Sequence, residues 1–191
     1  MSITGIDHSV TLWLNTLGSE SMDPFWKFLS NDRVWFPVYA AVMVFIIWKL
    51  GWKKGLVVVA SLFLAVLATD QLSTLVKEGI QRLRPCYDPW MLEHGIRTPA
   101  KFREQFGFFS SHASNTFGFA IASLMGLRYS TRRICTVYGV CVMSWAVLVS
   151  FSRIMLAAHY VGDIAAGAAF GLLTGAAVAL LARLIISKAR L

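Results

Sequence analysis

Charge is scarce in this chain. Only 15% of its 191 residues are Asp, Glu, Lys or Arg and 57% are hydrophobic, whereas soluble domains carry about a quarter charged residues. With a mean hydropathy of +0.61, an ordinary soluble domain is excluded and the bilayer is the expected solvent. Cysteine is equally sparse: there are three, with no C-x-x-C pair and no Cys/His spacing suited to zinc. Neither a disulfide framework nor a protein-built metal centre is therefore expected, and no cofactor is called for. Cys135 and Cys141 fall inside one apolar run, where they read as small buried residues, and Cys86 stands alone in a loop. The start of the chain lacks the basic segment and small-residue cleavage site of a signal peptide, so residues 1–33 are read as part of the mature protein.

What is present is long apolar runs. Crossing the hydrocarbon core takes about 20 mostly apolar residues, and residues 34–50, 55–76, 112–129, 134–151 and 160–182 come close. They predict a single domain, 1–191, with an all-α fold: a polytopic membrane bundle of five to six transmembrane helices. Ile6, Val10, Trp13, Leu14 and Leu17 recur at helical spacing, and Phe25, Trp26, Phe28 and Leu29 form a second short cluster. Both are too short to span, so residues 1–33 are expected to lie in the interface with tryptophans at headgroup depth.

Acidic residues are missing from one half of this arrangement. Nine of the 18 basic residues (Lys49, Lys53, Lys54, Arg128, Arg132, Arg133, Arg183, Lys188 and Arg190) lie at one end of the five spans, and all ten acidic residues lie in the other half. The net charge of +8 is thus placed as in a membrane protein obeying the positive-inside rule, and nucleic acid is not an expected partner. The basic end and the C-terminus are expected to be cytoplasmic in a plasma (inner) membrane. Three polar segments then emerge together on the extracytoplasmic face.

Those segments carry the chemistry. Lys77 and Arg84, seven residues apart, lie nearly on one helix face two turns apart and can hold one anion, with Pro85 expected to end the helix at Arg84. Ser110, Ser111 and His112 open the third run, where a serine caps a helix, first-turn amides attract an anion and a histidine can act as general acid. His159 and Asp163, four apart on one helix face, are expected within hydrogen-bonding reach, the aspartate fixing a tautomer that frees the other ring nitrogen to attack. Arg153 adds a forked guanidinium.

Together the three segments resemble the type 2 phosphatidic acid phosphatase family of integral-membrane lipid phosphatases, whose site is related to that of the vanadium haloperoxidases. The family pattern is K-x6-R-P, P-S-G-H and S-R-x5-H-x3-D. Lys77 to Pro85 and Ser152 to Asp163 match in full, whereas in Phe109 to His112 phenylalanine replaces proline and Ser111 replaces glycine. The family commonly has six spans, and five are legible here. The resemblance implies that Lys77, Arg84 and Arg153 bind the phosphoryl oxygens, assisted by Ser110 and by the Ser111 and His112 amides. It implies that His159 attacks phosphorus to form a phosphohistidine, that Asp163 orients it, and that His112 protonates the leaving oxygen and then activates water, without metal. Its first implied substrate is undecaprenyl (polyprenyl) diphosphate; lipid A phosphate, phosphatidylglycerol phosphate and phosphatidic acid are the alternatives. A non-catalytic lipid-phosphate binder or flippase would need only the cations, and the intact histidines and aspartate disfavour it.

Residues 86–109 form a long connection that serves either as a lid or as a solvated loop. Asp70 lies inside the second run, seven residues before Lys77. Gly167, Gly171 and Gly175 make a small-residue stripe expected to pack inside a monomer, with a dimer as the alternative.

Overall fold

The computed structural model describes residues 2–129 and 132–189, without the side chains of Tyr129, Arg132 and Arg133. Arg190 lies outside the described residues, and so do the side chains of Arg132 and Arg133, all three counted at the basic end. The α-helices are α1 (Ile3–Thr16), α2 (Asp23–Leu29), α3 (Asp32–Leu50), α4 (Trp52–Ile80), α5 (Pro89–Glu93), α6 (Ser111–Gly126), α7 (Arg132–Met155) and α8 (Val161–Lys188). Among the described residues the one strand-like pairing is an isolated antiparallel bridge between Leu83 and Phe106.

Helices α3, α4, α7 from Ile134, and α8 are long and apolar enough to cross a membrane. The expected third span instead forms α6, 16 residues long and followed by a 3-10 turn at Leu127–Tyr129. At 1.5 Å per residue α6 covers about 24 Å, short of the roughly 30 Å hydrocarbon core. It packs against α4, α7 and α8 and buries Ser114, Thr116 and Ser123 beside Phe119 and Ala120. Those hydroxyls find partners inside the bundle: Ser123 receives the Tyr138 hydroxyl at 2.6 Å, and Thr116 donates to His112 O at 2.7 Å. Among the described residues the five or six expected spans are therefore four by length and composition, plus one inner helix.

The glycine stripe explains how α6 is held. A Cβ at Gly171 would sit 2.2 Å from Ser114 O, one at Gly175 2.4 Å from Gly118 O, and one at Gly167 2.6 Å from Ser110 O. The stripe is spent inside the chain, bringing the backbone of α8 onto that of α6. At the other end of the bundle, Gly51 adopts φ 77°, a left-handed conformation that suits glycine, and turns α3 directly into α4.

Helix α1 is oriented by its polar face. Thr11 and Asn15 are fully buried, while Ile6, Val10, Trp13 and Leu17 point outward. Asn15 Nδ2 donates to Ile154 O and Met155 O at 3.0 and 3.2 Å, and Thr11 Oγ1 accepts from Val161 N at 3.0 Å. The apolar stripe legible in the sequence is thus left exposed, and the polar face grips the turn between α7 and α8.

Candidate active site

All three polar segments meet at one end of the bundle, around a chamber of about 540 Å³ lined by Lys77, Arg84, Ser111, His112, Arg153 and His159 together with acidic groups that include Asp32, Asp70 and Glu104. Lys77 lies in the last turn of α4 and donates to Ser111 Oγ, which also pairs with Ser73 Oγ at 2.8 Å. Arg84 is not on that helix. Gln81, at φ 54°, caps α4 after Ile80, so the helix stops short of the end expected from Pro85. Residues 82–84 run extended beside 105–107, with Arg84 N donating to Gln105 O and Gly107 N to Arg82 O, both at 2.8 Å. Alternation along this segment turns Arg82 and Arg84 to the same side.

Arg84 is 5% exposed. Its Nη1 lies 3.1 Å from His159 Nε2 and 3.2 Å from Ala158 O, and its Nη2 meets exposed Glu104 at 3.2 Å. Arg153, in the last turn of α7, donates to Ser30 Oγ, and its buried Nε has no protein partner. Buried donors without acceptors are costly, and an anion in the chamber would supply one. The Phe102 ring lies 5.3 Å from the Arg84 guanidinium and 5.2 Å from that of Arg153.

The expected pairing of Asp163 with His159 is looser than its i, i+4 spacing suggested. Asp163 Oδ2 accepts from Tyr160 N at 3.0 Å, closing the start of α8, and Oδ1 accepts from Arg82 at 2.6 Å. His159 Nδ1 is 3.7 Å from Asp163 Oδ2 and makes no hydrogen bond. The aspartate is spent first on its own helix N-terminus and on Arg82, whose other amino group pairs with Asp7 of α1 at 2.7 Å. Because Arg84 can only donate, His159 Nε2 is the ring nitrogen bearing the lone pair. Burial, and then Arg153, Arg84 and Lys77, hold the His159 pKa well below its ordinary value of 6.5, so the ring is neutral at pH 7.

Ser110 is fully buried, and its hydroxyl caps α6 by accepting from Ala113 N at 3.3 Å. It does not line the chamber, whereas Ser111 does. His112 Nε2 lies 3.1 Å from Ser30 O and 3.3 Å from Asp32 Oδ1. Asp7, Ser30, Asp32, Arg82, Phe102 and Glu104 were missed in the sequence reading. Of these, only Arg82 lay within a motif segment, two residues before Arg84, as a signal. The connection 86–109 is docked rather than free: Met91 is fully buried, Arg97 pairs with Asp23 at 3.0 Å, and Glu104, Gln105 and Phe106 line the chamber.

A second, apolar slot of about 470 Å³ opens between α3, α4 and α6. Phe36, Tyr39, Met43, Phe63 and Phe119 line it, and it shares Asp32, His112 and Asn115 with the chamber. A chamber holding three cations and two imidazoles, sharing lining residues with an apolar slot beside helices long and apolar enough to cross a membrane, is suited to an amphiphilic anion, as in an integral-membrane lipid phosphatase. The sequence profile of the PAP2 superfamily matches residues 54–186. The chain belongs to that superfamily and is a lipid phosphatase.

Among its relatives is a protein named lipid A 4'-phosphatase from Bacteroides thetaiotaomicron, 29% identical over 88% of this chain and 73% of its own length. A lipid A 4'-phosphatase from Porphyromonas gingivalis is also 29% identical, over 91% of this chain and 71% of its own length. In fold, the chain is similar to a PAP2-type phosphatidylglycerolphosphate phosphatase from Bacillus subtilis, with TM-score 0.73, 18% identity and coverage of 97% and 87% of the two chains. It is also similar to LpxE from Aquifex aeolicus, with TM-score 0.67, 19% identity and coverage of 89% and 92%.

Proposed function

We propose that this protein removes a phosphate from a lipid A-type saccharolipid at the extracytoplasmic face of the inner membrane, through a phosphohistidine on His159. The observation that carries the reading is that His112 lines both the chamber holding Lys77, Arg84 and Arg153 and the apolar slot. A phosphate held by Lys77, Arg84 and Arg153 leaves its lipid on the His112 side, and three cations offset the charge of the transferring group. Arg84 donates to the His159 lone pair. An incoming phosphate would draw that guanidinium onto its own oxygens and free Nε2 for attack. Ser111 joins Lys77 in the cradle, Ser110 acts through the helix cap, and Asp163 acts on His159 as a nearby charge.

Two relatives named lipid A 4'-phosphatase favour lipid A phosphate over the polyprenyl diphosphate first implied by the family resemblance. The deciding assay is phosphate release by purified protein from lipid A 1,4'-bisphosphate, undecaprenyl diphosphate, phosphatidylglycerol phosphate and phosphatidic acid. The expected result is the highest kcat/KM on lipid A, with loss of the 4'-phosphate. A preference for undecaprenyl diphosphate would overturn the substrate assignment. Turnover is expected to persist in EDTA; its abolition there would contradict the use of protein cations alone.

A further inference from the structure

The residues before the superfamily match supply groups to the site that none of the three motifs contains. His112 Nε2 lies 3.1 Å from the Ser30 carbonyl and 3.3 Å from Asp32 Oδ1. A carbonyl oxygen only accepts, so Nε2 carries a hydrogen and Nδ1 is left for the substrate. The backbone beside Asp32 is well held. Asn31 caps α3 by accepting from Arg33 N at 3.1 Å, and Trp35 Nε1 donates to Leu29 O at 2.9 Å. The Asp32 carboxylate itself is 69% exposed and lines both the polar chamber and the apolar slot.

To act as an acid, His112 must carry a second proton in a place where most neighbours oppose it. Lys77 of α4, Arg153 of α7 and His159 of the α7–α8 turn face the chamber on the cationic side. Asp70 of α4 faces it too, but its side chain is met at 3.4 Å by Asn115 Nδ2. Among the described residues, Asp32 is the carboxylate that reaches the His112 ring. A negative charge there stabilises the imidazolium, and a fixed acceptor at Nε2 sets the direction of the other N–H.

We propose that Asp32 is a positioning residue for His112. With the Ser30 carbonyl it holds Nε2–H, and its charge offsets the imidazolium, so that Nδ1–H is delivered to the leaving oxygen. As His159 Nε2 bonds to phosphorus, the P–O bond to the lipid breaks, its electron pair stays on oxygen, and that oxygen takes the His112 Nδ1 proton. In the second step neutral Nδ1 takes a proton from water while the water oxygen bonds to phosphorus. The P–N bond then breaks, and its pair returns to His159. Asp32 stays ionised throughout.

This inference rests on the phosphohistidine mechanism proposed above, and a substrate pair separates the two. An alkyl phosphate leaves as an alkoxide that needs a proton, whereas p-nitrophenyl phosphate leaves as a stable phenolate that does not. The readout is kcat/KM, which covers the steps up to phosphohistidine formation. Asp32→Asn is expected to lower it about tenfold or more on a long-chain alkyl phosphate, within the range of general acid effects, while p-nitrophenyl phosphate changes by less than about twofold. Asp32→Glu should recover most of the alkyl activity, and the basic limb of the alkyl profile should move to lower pH in Asp32→Asn. Inhibition by vanadate, which occupies the phosphate cradle, should be unchanged. Parallel loss on both substrates, no loss on either, or vanadate inhibition weakened in step with activity would overturn the role. If the wild-type protein releases phosphate from neither of these substrates nor from lipid A, the preceding proposal fails, and that is read before any variant.

Discussion

Arg82 shows how a residue at a position the motif leaves open governs the residues the motif specifies. It binds Asp163 Oδ1 at 2.6 Å and Asp7 at 2.7 Å, with its guanidinium 3.9 Å above the Tyr160 ring. The carboxylate beside His159 is thereby partly neutralised, which lets burial and the surrounding cations keep the imidazole unprotonated. Arg82→Gln exposes His159 to the full Asp163 charge, and the acidic limb of kcat/KM should move to higher pH. A limb coincident with that of the wild type would show that Arg82 does not act through Asp163. The depressed His159 pKa also has a consequence for stability. Below pH 6.5 the unfolded chain binds a proton that the folded chain refuses, so stability falls on acidification from about pH 6.5, by up to about 1.4 kcal/mol per pH unit, until the folded pKa is reached. Thermal unfolding in detergent should therefore lose more between pH 7.5 and pH 5.5 in the wild type than in His159→Gln. The chamber side chains Lys77, Arg84, Ser111, His112, Arg153 and His159 were all legible in the sequence, because each lies in a segment whose spacing itself suggests chemistry. Asp7, Ser30 and Asp32 were not, because folding brings Ser30 and Asp32 to His112, and Asp7 to Gly162 and Arg82, from 75 to 155 residues away along the chain, and no local spacing records that.

At the scale of elements, α6 and α8 set the site. Ser110 N donates to Asp163 O at 3.1 Å, tying the start of α6 to the first turn of α8, and the three glycine contacts extend that register down the helices. Gly171→Leu would push a side chain into the Ser114 carbonyl, and overpacking of this kind costs about 1–3 kcal/mol or more; yield of folded protein and activity should drop together. Gly79→Ala is the control, since a Cβ there meets nothing within 4 Å, and it should be neutral or stabilising by up to about 1 kcal/mol. A Gly171→Leu variant with wild-type Tm would contradict the backbone contact. The glycine stripe was legible as a packing surface, yet the length of α6 was not. Hydropathy scored residues 112–129 as a run, whereas the hydroxyls at Ser114, Thr116 and Ser123 are tolerated because the helix is wrapped by its neighbours. The end of α4 was misplaced for a related reason: Pro85 forbids helix at Arg84, but Gln81 had already left it.

Over the whole molecule, the polar chamber and the apolar slot that shares Asp32, His112 and Asn115 with it lie at one end of the bundle, while Lys49, Lys53 and Lys54 lie at the opposite end, around the Gly51 turn. If the charge asymmetry sets the orientation as proposed, a cysteine placed at exposed Glu104 should react with a membrane-impermeant maleimide in intact spheroplasts, and one placed at Lys53 should react only after permeabilisation. The reverse pattern would place the site on the cytoplasmic face. The central claim is that His159 becomes phosphorylated, and rapid quenching after mixing the enzyme with ³²P-labelled lipid phosphate tests it most directly. Label that is acid-labile and alkali-stable should appear on His159, accumulate in His112→Ala when the donor is ³²P-labelled p-nitrophenyl phosphate, whose phenolate leaves without a proton while water is no longer activated, and be absent from His159→Ala. Phosphate release with no labelled protein in His112→Ala, or label retained in His159→Ala, would contradict the account.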